Sequence, residues 1–403
     1  MAATLDVPLA EAGAARPPPP ARRPGAIPEL DGLRGIAILL VLLRHGVRPF
    51  WGGTGSLYPI GSWDFGIPLV NGWMGVDLFF VLSGFLIAHH ILRRSAGPVA
   101  RVAWVDYCRR RLLRIVPAYY AVLLLVALVP MSFYPVDRDG IGLRLAYHLL
   151  FLQDYLPSDL VVAFWSLGVE VKFYLAAPLL LLAVTRLAKP SARTGVLVLL
   201  LLAPLALRVL TALQHPGPQS YEQYFVVFRS PLHLCMDALL VGVLCALLYR
   251  DRDRLRWTRR PRVVSLLFWL GTALVVWLLA AAPLLDRIDR FDQTLMPSLI
   301  ALGMGAALLG ASLGAGPGGL LRRPELAFLA RISYSLYLVH LLFVPIVEAA
   351  VHELLRAHSP SPGVEFAVFF PVFCLVSCAC AILLHRAVER PFMRLRGRTR
   401  RVA

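Results

Sequence analysis

Two side chains suited to handling a charged substrate and moving a proton stand eleven positions apart near the start of this chain, Arg34 and His45. On a helix that spacing is close to three turns, so the two share one face, about 16 Å apart along the axis. A guanidinium is a permanent planar cation that binds phosphate or carboxylate in bidentate fashion. An imidazole titrates near neutral pH and serves as a general base. Asp31 and Arg44 flank the same segment, and Gly35 to Leu43 between them is uncharged. Taken alone, the pair also fits a snorkelling arginine and a satisfied histidine at a helix end.

The pattern recurs. Asp77 shares a face with Phe80 and Gly84; Ser166, Glu170 and Tyr174 stand at i, i+4 and i+8. His233 and Asp237 stand at i and i+4, and Ser333, Tyr337 and His340 at i, i+4 and i+7. Ionisable groups inside a bilayer cost about 2.5–3.5 kcal/mol each on the insertion scale, so such stripes must face the bundle interior or a watery cavity. Five of them imply one shared polar cavity.

The elements that would position these residues are bilayer-spanning helices. Hydrophobic residues make up 58% of the 403 and charged residues 16%, well below the quarter usual in soluble domains. Mean hydropathy is +0.68. Apolar blocks such as Gly195–Leu207, Val263–Pro283 and Pro371–Leu384 reach spanning length with their flanks. No polar–apolar alternation of the barrel kind accompanies them. The fold class is therefore all-α and polytopic, with ten spans at about 30–48, 71–92, 112–131, 164–185, 195–213, 231–249, 263–283, 295–314, 328–350 and 365–386. Leu145–Leu152 is too short to span and reads as an interfacial or re-entrant piece.

Arginines cluster in alternate loops, which places both termini in the cytoplasm. Residues 1–27 read as a basic, proline-rich disordered tail, 28–392 as one transmembrane domain and 393–403 as a basic tail. In this topology His45, Asp77, Glu170, His233 and Asp237 fall in the outer half and His340 near mid-depth. Arg34, Arg114, Arg331 and Arg390 gather at the inner rim. The net charge of +17 would suggest nucleic acid in a soluble protein, but here the cations follow topology and form no single surface. The six cysteines show no zinc-type spacing, and no metal is expected.

The blocks carrying these residues resemble the acyltransferase-3 family of membrane O-acyltransferases over about Ile27 to Phe392. Leu30-Asp-Gly-Leu-Arg-Gly-Ile-Ala-Ile with His45 is similar to the family's arginine–ten residues–histidine signature. Val76-Asp-Leu-Phe-Phe-Val-Leu-Ser-Gly-Phe, Arg110-Arg-Leu-Leu-Arg-Ile-Val-Pro, Trp165-Ser-Leu-Gly-Val-Glu, Ile332-Ser-Tyr-Ser-Leu-Tyr-Leu-Val-His and Val388-Glu-Arg-Pro-Phe follow in the family's order. Two positions depart from it. Val171 and Lys172 stand where a second acidic residue and a glutamine-like residue are common, and Cys235 stands where an arginine is usual.

The resemblance implies transfer of an acyl group, acetyl above all, from cytoplasmic acyl-CoA to a hydroxyl of a carbohydrate or a glycosylated small molecule. Acyl-CoA is then a co-substrate, with no permanently bound cofactor. His45 is the expected base, and Glu170 orients substrate or stabilises the imidazolium. Arg34 and Arg114 would hold the CoA phosphates. Tyr337 and His340 would contact the acceptor or the thioester oxygen, and Asp31, Trp165 and Ser166 join the substrate-binding set. Many relatives carry an added SGNH-type hydrolase domain; an acyl relay to such a domain would here need a separate periplasmic or extracellular protein. The expected location is the plasma or inner membrane, multi-pass. A transporter of an acyl donor or glycolipid is the competing reading, and it calls for inverted repeats and paired broken helices that the sequence does not display.

Overall fold

The computed structural model describes residues 27–51, 55–94, 104–129, 134, 136, 139–156, 160–215, 217, 220–281 and 288–395. Of the expected tails, 1–27 and 393–403, residues 1–26 and 396–403 lie outside them. Ten long helices follow the apolar blocks. They are α1 Glu29–Trp51, α2 Gly75–Arg94, α3 Trp104–Leu128, α4 Trp165–Arg186, α5 Pro190–Gln214, α6 Asp237–Arg250, α7 Pro261–Ala280, α8 Arg290–Ser312, α9 Pro324–Leu355 and α10 Pro362–Leu384.

Eight helices among the described residues are long and apolar enough to cross a membrane. The two that do not meet this measure are α1 and α6. Helix α1 carries Glu29, Asp31, Arg34, Arg44 and Arg48 along its length. Helix α6 has 14 residues, because the span expected at 231–249 breaks at Met236 after the single turn Leu232–Cys235. Pro231 starts that turn and donates no amide of its own to a preceding one.

Helix α2 is central, its apolar window 72% buried, whereas the windows of α5, α7 and α10 are 22% buried and form the periphery. Small residues set the tightest crossings. Gly84 of α2 meets the Leu239 carbonyl of α6, and Gly242 of α6 meets Val81 and Gly84, so a β-carbon at either position would enter the opposing backbone. Gly32 and Gly35 seat α1 against Leu321 and Leu326 in the same way.

Polar struts complete the bundle. Arg208 of α5, fully buried, donates to Asp237 Oδ2 (2.9 Å), Ser298 Oγ (2.5 Å) and the Thr294 and Leu234 carbonyls, tying α5, α6 and α8 together. Each of its three nitrogens donates, through four of the five N–H groups, as a buried guanidinium requires. After α10, a wider π turn at His385–Glu389 leads to Arg390–Arg394 and packs against α3. There Glu389 Oε2 accepts from Ser335 Oγ (2.8 Å) and pairs with His385 Nδ1 (2.9 Å).

Segment 145–152 forms the short helix Ile141–Leu149 and turns back through Phe151, whose φ of 56° is left-handed. The Lys172 ammonium reaches the Phe151 carbonyl (2.5 Å) and Asp154 Oδ1, which holds this turn beside α4. Lys172, a departure from the family pattern, thus has a structural partner.

Candidate active site

Three cavities follow one another along the bundle. The largest, about 580 Å³, is lined by His45, Arg44, Trp73, Trp165, Arg229 and Tyr337 among others. A narrow one of about 70 Å³ contains Arg34, Ser83, Arg114, Glu170 and Tyr174. A third of about 440 Å³ takes in Asp31, Arg34, Arg114, Arg331, Glu389 and Arg390. Val76 and Tyr337 line both the first and the second; Arg34, Arg114, Ser333 and Tyr334 line both the second and the third.

His45 meets His340 across the junction of α1 and α9, ring centroids 5.0 Å apart at 55°. Helix α1 supplies the approach through its glycine contacts with the start of α9, and the eleven-residue spacing sets His45 three turns from Arg34. His340 is wholly buried, and its Nδ1 lies 2.8 Å from the Tyr337 carbonyl. A carbonyl only accepts, so Nδ1 carries the proton and Nε2 of the neutral ring is left as a lone-pair acceptor. Nε2 is buried without a hydrogen-bond partner.

Tyr337, one turn away, donates its hydroxyl to the Ala163 carbonyl (2.7 Å), and its oxygen lies 2.7 Å from Ser166 Oγ. Ser166 Oγ also lies 3.3 Å from the Ala163 carbonyl, so the two hydroxyls share that acceptor. To donate to a substrate oxygen, Tyr337 must release Ala163.

Glu170 stands elsewhere. Its Oε1 accepts from Ser83 and from Tyr174 one turn along α4, as the i, i+4, i+8 stripe suggests. It lines the narrow cavity with Arg34 and Arg114 and is absent from the lining of the cavity that holds His45. The imidazole beside His45 is that of His340. Trp165 reaches the large cavity and Asp31 the inner one.

Two expected stripes do not reach a common cavity. Asp77 forms a bidentate pair with Arg229, 2.8 Å on both oxygens, both residues buried. Asp237 is committed to Arg208 and Ser298. The break at Met236 turns His233 away from Asp237; its ring stacks on Tyr155 at 5.6 Å and 6°, with Nδ1 3.0 Å from the Tyr155 hydroxyl.

Arg229 is the main site residue that spacing did not single out. Its guanidinium lies between the Trp73 and Trp165 rings, 5.0 and 5.1 Å from their centroids, while Asp77 holds its edge. The available signal was an arginine in an otherwise sparsely charged connection before α6. Arg208 gave a stronger one, a cation inside a leucine-rich span.

A family of acyltransferase domains matches residues 27–386 of this chain. The chain belongs to the acyltransferase-3 family. The acyltransferase is 25% identical over 384 residues to the putative peptidoglycan O-acetyltransferase YrhL of Bacillus subtilis, covering 91% of this chain and 54% of that protein. It is 27% identical to acyltransferase MdmB of Streptomyces mycarofaciens, covering 94% of each. Against peptidoglycan O-acetyltransferase OatA of Listeria monocytogenes it is 29% identical over 180 residues, 40% of this chain and 25% of that one. The chain thus spans about half the length of the first of these relatives and a quarter of the third, but nearly all of the second. No solved structure gives a significant match.

Proposed function

We propose that this acyltransferase moves an acyl group, acetyl above all, from acyl-CoA onto a hydroxyl of a carbohydrate or glycosylated acceptor, with His45 as the base. The observation that carries the reading is the run of adjacent cavities with shared lining residues, which puts a cluster of arginines at one end and the His45–His340 pair at the other.

The inner cavity, with Arg34, Arg114, Arg331 and Arg390, suits the phosphates of CoA. The narrow cavity admits only a thin chain, as a pantetheine arm is. The large cavity, walled by Trp73, Trp165 and Tyr221, suits a sugar face. The acceptor hydroxyl gives its proton to His45 as its oxygen attacks the thioester carbonyl. The tetrahedral intermediate then collapses, the C–S bond breaks, and the CoA thiolate takes the proton back from His45 while the ester leaves on the acceptor. His340, with its proton on Nδ1, keeps Nε2 unpaired beside the His45 ring, so a small turn of either ring during the reaction would let it accept an N–H of His45 and leave the other His45 nitrogen to act as base. Glu170, bound by Ser83 and Tyr174, orients the donor side of the passage beside Arg34 and Arg114. The arginine-rich loops support cytoplasmic termini, so the donor enters from the cytoplasm of a plasma or inner membrane.

Purified protein in nanodiscs, incubated with radiolabelled acetyl-CoA and a panel of glycan and glycoside acceptors, tests this. Label reaching an acceptor with wild type but not with folded His45→Ala supports it. Transfer that survives in His45→Ala removes the base. Movement of label across the bilayer without an ester product favours the transporter reading.

A further inference from the structure

We infer that the basic ends of α2 and α6 form a binding site for the phosphate of an anionic membrane phospholipid, separate from the transfer passage. A cavity of about 350 Å³ opens there, lined by His89, Leu92, Arg93, Tyr249, Arg250 and Arg252, and shares no lining residue with the three cavities of the transfer site. Three of the six lining residues are arginines and none is acidic. The nearby carboxylates, Asp251 and Asp253, lie in the turn that follows α6 and do not line it.

The site is rigid. Gly84 and Gly242 lock α2 and α6 in direct backbone contact less than two turns from His89. Above the cavity the His89 ring stacks on Phe85 at 5.6 Å and 11° and meets the Tyr249 ring edge-on at 5.5 Å. Its Nε2 is buried without a hydrogen-bond partner. Arg252 lies 4.5 Å over the Tyr249 ring and donates to the Tyr249 carbonyl (2.9 Å), which fixes its guanidinium plane at the rim. A held imidazole and a fixed arginine beside two further cations make a receptor for a tetrahedral anion.

The membrane is the source the position favours. The cavity sits where two spanning helices end in the basic connection that follows them, the level of the headgroups, and basic pockets between spanning helices on that side take anionic headgroups. The phosphodiester would lie against Arg93, Arg250 and Arg252, and His89 would hydrogen-bond one phosphate oxygen.

The test uses native mass spectrometry of the full chain released from nanodiscs of equal phosphatidylglycerol and phosphatidylcholine. Wild type is expected to retain phosphatidylglycerol at least tenfold over phosphatidylcholine, and Arg250→Gln/Arg252→Gln to lose that preference. His89→Phe keeps the ring stack and removes the nitrogen, and is expected to weaken retention several-fold with the fold intact by circular dichroism. Equal retention of the two lipids by wild type, or unchanged preference in the arginine double variant, overturns the proposal. Displacement of the lipid by 1 mM inorganic phosphate would make it a small-anion site instead. Displacement by micromolar coenzyme A would reassign it to the donor. The outcome is read from lipid adducts, so it stands apart from whether His45 is the base.

Discussion

The imidazoles of His45 and His340 lie 5.0 Å apart, and the second is pinned through Nδ1 to the Tyr337 carbonyl. A buried ring with one nitrogen tied to a carbonyl and the other bare is a fixed acceptor. Its ring lies against that of His45, and under the proposed function it positions that neighbour. Removing His45 is expected to lower the rate of transfer by about 10²–10⁴-fold, the usual contribution of a general base. Removing His340 leaves the base present but free to turn, and misplacement of that kind costs up to about 100-fold. His340→Ala should therefore lower kcat with little change in either KM, and His340→Gln should recover part of the loss. A His340→Ala enzyme with wild-type kcat would show that the ring contact does not position His45.

Arg34 and Arg114 stand where the narrow and inner cavities meet. Arg34→Gln is expected to raise KM for acetyl-CoA about tenfold or more, the loss of one charge-assisted contact of roughly 1.5–3 kcal/mol, while KM for the acceptor holds. Steady-state kinetics with each substrate varied in turn makes the comparison. An effect confined to the acceptor KM would place the donor elsewhere.

Tyr337 tests a different point, because its hydroxyl proton is already given to Ala163. Tyr337→Phe should cost about 1 kcal/mol of stability for the lost hydrogen bond and change transfer less than tenfold. A loss above 100-fold with a normal melting curve would mean that the hydroxyl swings to the thioester oxygen during the reaction.

The two buried ion pairs separate structure from function. Asp237→Ala strands Arg208, and Asp77→Ala strands Arg229; each should destabilise the protein by about 3–5 kcal/mol. Thermal unfolding in detergent reads that cost. Activity per folded molecule should be kept in Asp237→Ala, since neither Asp237 nor Arg208 lines a cavity of the transfer site. It should fall in Asp77→Ala, because Arg229 lines the large cavity between Trp73 and Trp165. Equal activity losses in the two variants would contradict this division.

Helix contact gives a stability control. Gly84→Val drives a side chain into the Leu239 carbonyl and should abolish a monodisperse product in size-exclusion chromatography. Gly195→Ala meets open space on α5 and should be neutral or stabilising by up to about 1 kcal/mol through helix propensity. A well-folded Gly84→Val would show that α2 and α6 can separate without harm.

Much of the architecture is written in the order of residues. Apolar runs must be helical where the backbone has no water to bond, so the eight helices among the described residues that are long and apolar enough to cross a membrane fall near expected spans. Helical periodicity likewise aligned Arg34 with His45 and put Tyr174 in reach of Glu170, since these relations lie within one helix. The break at Met236 was harder to see, because apolar residues run on both sides of it.

Contacts between helices were decided only by the tertiary structure. Periodicity says that a stripe faces inward but not which partner it meets there. Asp77 and Asp237 thus looked like members of one cavity, yet each is claimed by an arginine outside its own helix, Arg229 and Arg208. Glu170 went to the cavity of Arg34, and the place beside His45 went to His340, nearly three hundred residues away in sequence. The physical reason is desolvation. A charge sealed among apolar helices must take whichever partner packing brings to it, and packing is a property of the whole bundle.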